Sequence, residues 1–184
     1  MDKQHENPLG VEPINHLMAR FAIPSIIAML VSALYNMVDQ FFIGHSVGMQ
    51  GNAATNVAFP LTITCTAVSL LFGIGGAANF NLSMGRKKPE EAKHFIGNAI
   101  FLMLSFGITL CLLVFLFLDP LLKLFGATAD ILTYSRTYTS ITAFGFPFVI
   151  LATGGSNLVR ADGSPNFSMA CTLIGCLINL VLDP

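Results

Sequence analysis

Asp39, Asn179 and Asp183 place carboxylate and amide oxygens inside otherwise apolar runs, and such oxygens suit a proton or a small hard cation. A carboxylate within a membrane costs about 2.5–3.5 kcal/mol on insertion scales and is kept where it faces a cavity or a partner. Asp39 shares a helical face with Ser32, Tyr35 and Asn36, spaced i, i+3, i+4 and i+7, which makes one polar stripe on an apolar helix. Asn179 and Asp183, four apart, share a second face. Two carboxylates in one poorly solvated pocket do not both ionise cheaply, so one holds a proton or a cation sits between them. Tyr35 and Asn36 then form the supporting polar face. Pro24 and Pro184 are hinge candidates, because each removes a backbone donor and leaves a carbonyl one turn earlier unbonded. Pro60 and Pro147 interrupt other apolar runs in the same way. The alternatives stay open: Asp39 as the solvated outer end of its helix, and each proline as a static kink packed against a neighbour.

These residues need elements that hold them at one depth. The chain has 184 residues, 54% apolar and 10% charged, against roughly 25% charged in an average soluble domain. A membrane-spanning helix takes about 20 mostly apolar residues, since ~1.5 Å per residue must cover ~30 Å of hydrocarbon. The charge-free intervals contain 18 residues between Arg20 and Asp39, 46 up to Arg86, 25 between Lys93 and Asp119, 23 between Arg136 and Arg160, and 20 between Asp162 and Asp183. The longest must break, and the Gly-rich polar stretch Gly44 to Asn52 reads as its turn. The expected architecture is all-α and polytopic, with five spans near 17–42, 53–84, 92–118, 134–158 and 165–184.

Lys and Arg favour cytoplasmic loops. An N-terminus inside puts seven of them (Lys3, Arg20, Arg86, Lys87, Lys88, Lys93, Arg160) on the cytoplasmic face and two (Lys123, Arg136) outside. Residues 1–15 are then a cytoplasmic N-terminal segment of a multi-pass protein of the cell membrane. The first and fifth spans both run outward, so Asp39 lies about 28 Å from position 20 and Asp183 about 27 Å from position 165, at similar depth. Pro89, Glu90 and Glu91 read as the start of the third span on the cytoplasmic side.

Other signals lead elsewhere. A net charge of -1 excludes a basic field for nucleic acid. Cys65, Cys111, Cys171 and Cys176 match neither a metal nor a disulfide pattern and read as packing residues. The run Gly73-Ile-Gly-Gly-Ala-Ala fits a loose dinucleotide pattern, but with no strand before it the reading is close approach of membrane helices. Asn81 and Asn166 open glycosylation sequons on the cytoplasmic side, where they stay unmodified. His45 and His94 sit at span ends as solvated tips, and no nucleophile has a nearby base, so the chain reads as no enzyme and needs no cofactor beyond a coupling ion.

In the order and spacing of several segments the chain resembles the multidrug and toxic compound extrusion (MATE) family of cation-coupled antiporters. The segments are Pro24 followed by Tyr35-Asn-Met-Val-Asp39-Gln-Phe-Phe-Ile-Gly44, then Ala58-Phe-Pro60, then Gly73 to Asn79 leading to Met84-Gly-Arg86, then Asn157-Leu-Val-Arg160-Ala-Asp-Gly-Ser-Pro165, and finally Asn179-Leu-Val-Leu-Asp183-Pro184. The resemblance implies twelve helices in two six-helix lobes around a cleft open alternately to either side. Residues 16–184 would be an incomplete N-lobe, and the ending at Asp183-Pro184 reads as a truncation before the sixth helix and the C-lobe, a partner expected in the same full-length chain. The resemblance also implies a cation site for H⁺ or Na⁺ at Asp39, Asn179 and Asp183, with bending at Pro24 as part of coupling.

The function so implied is export of amphiphilic organic cations in antiport with H⁺ or Na⁺. One rival is a lipid-linked oligosaccharide flippase of the same superfamily, disfavoured because the spans contain almost no basic residues. The other is a non-transporting membrane fragment.

Overall fold

A computed structural model describes residues 13–46 and 48–182, with the side chain of residue 182 excepted. Residues 1–12, Val47, Asp183 and Pro184 lie outside the described residues. Six helices follow one another: α1 (Ile14–Ser46), α2 (Met49–Gly85), α3 (Pro89–Leu116), α4 (Leu118–Leu124), α5 (Ala129–Ala161) and α6 (Pro165–Leu182). No strand occurs among the described residues. Helices α1, α2, α3 and α5 are each long and apolar enough to cross a membrane, and α6 is a shorter apolar helix.

Helices α1, α2 and α5 overrun the spans read from charge spacing at both ends, and α3 begins three residues earlier, because backbone hydrogen bonding continues through polar residues beyond the hydrocarbon. The α1–α2 turn is accordingly much shorter than Gly44 to Asn52. Helix α1 runs through Ser46 and α2 starts at Met49. Gly48, at φ 75°, takes the positive-φ position, and its carbonyl accepts the amides of Gly51 and Asn52. Helix α4 is an addition to the five expected spans, being too short to show as an apolar interval. Its Asp119 forms a two-pronged ion pair with Arg136 of α5, with Nε donating to Oδ1 at 2.9 Å and Nη2 donating to Oδ2. This ties the link after α3 to the start of α5.

The remaining turns close by one device. After α2 the amide of Lys87 donates to the Met84 carbonyl and that of Lys88 to the Ser83 carbonyl, with Lys87 at φ 58°. The same paired bonds close α4 at Gly126 and α5 at Gly163, both at positive φ. Pro89 then opens α3, with Glu90 and Glu91 in its first turn. Lys93 pairs with Glu90 at 2.8 Å and Lys88 with Glu91 at 3.1 Å.

Helices α2, α3 and α5 form the core, and α1 packs chiefly against α6. The core helices meet at small residues. A Cβ on Gly73 would lie 2.7 Å from the Cα of Gly154, one on Gly76 would lie 2.6 Å from the Ala99 Cβ, and one on Gly107 would lie 2.6 Å from the Pro147 Cα. Gly154 also receives the Met103 sulfur. Leu61, Cys65, Met103, Phe146, Ile150 and Leu158 fill the space between these contacts. Close approach is therefore what Gly73 and Gly76 provide, whereas Gly75 faces open space. The four cysteines are free; Cys65 is buried, but Cys171 is exposed and takes no part in this packing.

Candidate functional site

The polar stripe of α1 has polar neighbours on other helices near the C-terminal end of α1. Asn179 of α6 donates its Nδ2 to the Tyr35 hydroxyl oxygen at 3.2 Å, across 144 positions of sequence. Thr55 of α2 donates its hydroxyl to the Gln40 Oε1 at 3.5 Å. Asp39 is half-buried between these two contacts along the helix and acts electrostatically on Tyr138 of α5. Tyr35 of the stripe thus contacts α6, and Gln40, next to Asp39, contacts α2.

The expected residues divide among four situations. Tyr35 and Asn179 meet directly, and Asp39 sits one turn beyond Tyr35 on the same face. Asn36 points away: it is exposed, and its Nδ2 donates to the Ser32 carbonyl of its own helix at 2.7 Å. Asp183 and Pro184 lie outside the described residues. Pro24 is buried inside α1 without ending the helix. One residue later the Ser25 hydroxyl donates to the Phe21 carbonyl at 2.7 Å, adding a side-chain bond to the ladder where the proline has removed one.

Tyr138, Gln40 and Thr55 join the site although the sequence reading does not single them out. A signal is present for Tyr138. Tyr134, Tyr138 and Thr142 recur every four residues on α5, and Tyr138 belongs to a chain with only three tyrosines, of which Tyr35 is another. Because none of them is charged, a search by charge passes over them.

The chemistry of the set is oxygen-only. Asp39 offers a carboxylate and Tyr35 a hydroxyl, and with its amide hydrogens turned to Tyr35, Asn179 keeps its carbonyl oxygen as an acceptor. Such donors suit a proton or a hard monovalent cation and would not select a soft metal. No group of three or more His, Cys, Asp or Glu side chains gathers among the described residues.

Where α5 ends and α6 begins, a second polar contact joins the two helices. The hydroxyls of Ser156 and Ser168 lie 2.5 Å apart, and Arg160 donates its Nε to the Ser168 Oγ at 3.1 Å.

Comparison with known proteins agrees with this architecture. The chain is 28% identical over 167 residues to the multidrug export protein MepA of Staphylococcus haemolyticus, covering 91% of this chain and 37% of that protein. It is 26% identical over 172 residues to an FAD transporter of Shewanella oneidensis, covering 94% of this chain and 38% of that one. A solved structure of the MATE multidrug transporter DinF-BH superposes with a TM-score of 0.91 at 34% identity, over 99% of this chain and 41% of that one. The chain therefore spans about two fifths of the length of the proteins it matches. The MatE family model matches residues 24–184, which takes in Pro24, the Tyr35–Asp39 stripe and Asn179, and the chain belongs to that family.

Proposed function

We propose that the chain forms the N-terminal lobe of a cation-coupled multidrug exporter of the cell membrane. It lies with its N-terminus in the cytoplasm and works with a second six-helix lobe to export amphiphilic organic cations in exchange for H⁺ or Na⁺. The observation that carries this reading is the meeting of α1 and α6 through Tyr35 and Asn179, with Asp39 half-buried beside them. The outgoing drug and the incoming ion need a shared element, and the α1–α6 pair is one. Asp39, Asn179 and Asp183 bind the coupling ion, Tyr35 orients Asn179, and Pro24 and Pro184 weaken the helix ladder where α1 and α6 must adjust.

A cation shifts the balance of outward and inward states only by its differential affinity for them. Asp39 must therefore change partners or solvation through the cycle, and a neutral isostere removes that change while keeping shape. The test is dye efflux from vesicles carrying the full-length protein, under separately imposed Na⁺ and pH gradients. Asp39→Asn is expected to lose gradient-driven efflux by tenfold or more while the protein remains folded, in line with the worth of a charged partner, about 1.5–3 kcal/mol. Efflux by Asp39→Asn at the wild-type rate would overturn the assignment.

The relative named an FAD transporter raises an anionic dinucleotide as a second cargo class. An anion needs cationic residues in the cleft, and no Lys or Arg lies between Phe21 and Gly85 or between Thr137 and Val159. Organic cations fit this lobe better. The same vesicles loaded with FAD distinguish the two cargoes.

A further inference from the structure

We propose that the turn between α2 and α3 docks on anionic phospholipid headgroups, with Arg86 and Lys87 holding a lipid phosphate. The inference needs only that α2 and α3 cross a membrane, so it stands apart from the transport reading.

The backbone gives folding no reason for a lysine at position 87. Helices α2, α4 and α5 all close with the same pair of bonds, donated by an amide at positive φ and by the amide after it. After α4 and α5 the positive-φ position is Gly126 at 95° and Gly163 at 86°. After α2 it is Lys87 at 58°, the one non-glycine residue at positive φ among the described residues. A side chain is strained there, where glycine is not. A cation at the end of α2 suits the helix dipole, but Arg86 and Lys88 already supply one at φ of -79° and -118°. Insertion topology counts the charges of a loop and does not favour this position over its neighbours.

The charges around the turn are unevenly compensated. Lys88 pairs with Glu91, and Lys93 with Glu90. The end of α5 packs at the same level, with Ala161 against Phe80 and Ala92, and its Arg160 and Asp162 add no net charge. Arg86 and Lys87 are exposed and make no ion pair or side-chain hydrogen bond among the described residues, which leaves two adjacent positive charges facing outward. The other end of the same helices has no such excess, since Asp119 pairs with Arg136, and Lys123 and Asp130 balance.

Depth selects the partner. Leu82, 53% exposed, precedes Arg86 by about one turn, or ~6 Å of rise. Apolar surface turned outward so close to the two cations puts them just beyond the hydrocarbon, at the level of the headgroups. A phosphodiester at that level offers a negative charge and free oxygens, which suit the forked donors of Arg86 and the ammonium of Lys87. Soluble phosphate offers the same oxygens. The lipid has the advantage of being held beside the turn by the bilayer itself, so it meets the cations at a far higher effective concentration.

The test is thermal unfolding of the full-length protein in nanodiscs of neutral phosphatidylcholine, and of phosphatidylcholine mixed with anionic phosphatidylglycerol, at equal ionic strength. The anionic discs should raise the melting temperature of the wild type, and Arg86→Gln combined with Lys87→Gly should cut that rise by about 4 °C. Lys123→Gln, at the other end of the helices, should leave the rise unchanged. Lys87→Gly alone should change sign with the lipid. In neutral discs it melts no lower than the wild type, because only the relief of the backbone remains, and in anionic discs it melts lower. Inorganic phosphate added to the neutral discs should not reproduce the rise. An equal rise in the wild type and the double variant, a loss by Lys87→Gly in neutral discs as large as in anionic ones, or a full rise from inorganic phosphate overturns the proposal.

Discussion

Tyr35 accepts a hydrogen bond from Asn179 and stands one turn from Asp39, and in the proposed ion site its hydroxyl orients that amide without itself carrying charge. Tyr35→Phe keeps the ring and removes only that acceptor. The contact is exposed, so folding should lose at most about 1 kcal/mol. Asn179 then loses its orientation, and the coupling-ion concentration for half-maximal efflux should rise about fivefold while the maximal rate is kept, a shift equivalent to about 1 kcal/mol. Titration of efflux against Na⁺ and against pH checks this, and an unchanged ion dependence in both removes Tyr35 from the site. At this scale the sequence is informative where charge or amide spacing makes a stripe: the faces that bring Tyr35 of α1 to Asn179 of α6 are legible. Asn36 is not, because i, i+3, i+4 spacing places it on the stripe but leaves open whether its amide turns outward or back to the Ser32 carbonyl, as it does. Tyr138 is hidden for the opposite reason, being uncharged on a helix read mainly for its apolar length.

The elements are legible to the extent that hydrocarbon thickness dictates them. Long apolar runs bounded by charge announce spans, but the ladder of backbone bonds does not stop at the membrane surface, so α1, α2 and α5 reach 33, 37 and 33 residues. Which glycine faces which helix is beyond composition, and adjacent pairs separate the cases. Gly154 is pressed against the Met103 sulfur and the Ser69 carbonyl, while Gly155 has nothing within 4 Å of a built Cβ. Gly154→Ala should destabilise the protein by about 1–3 kcal/mol through overpacking. Gly155→Ala should be neutral or stabilising by up to about 1 kcal/mol through helix propensity. Thermal unfolding of the two variants side by side checks the register of α2, α3 and α5, and equal effects would mean that the close face of α5 is misassigned.

In the whole molecule the α1–α6 pair is tied to the core at opposite ends. Helix α1 is held at its C-terminal end, where Gln40 meets Thr55 and a Cβ on Gly44 would meet the Asn52 side chain at 2.8 Å. Helix α6 is held at its N-terminal end, where Ser168 meets Ser156 and Arg160. A pair anchored in this way can tilt without releasing either anchor, and the largest displacement of α6 then falls at its C-terminal end, where Asn179 lies. The arrangement predicts what a covalent lock between α5 and the start of α6 will do. Two serine hydroxyls in contact at 2.5 Å bring these side chains within reach of one another, so Ser156→Cys with Ser168→Cys is expected to cross-link under mild oxidant. If this contact is a fixed pivot, the cross-linked protein keeps gradient-driven efflux within about twofold of its reduced form, a difference below about 0.5 kcal/mol. Loss of efflux on oxidation, restored by reductant, would instead place the moving contact where α5 ends and α6 begins, and the C-terminal ends of α1 and α6 would then be the static part of the lobe.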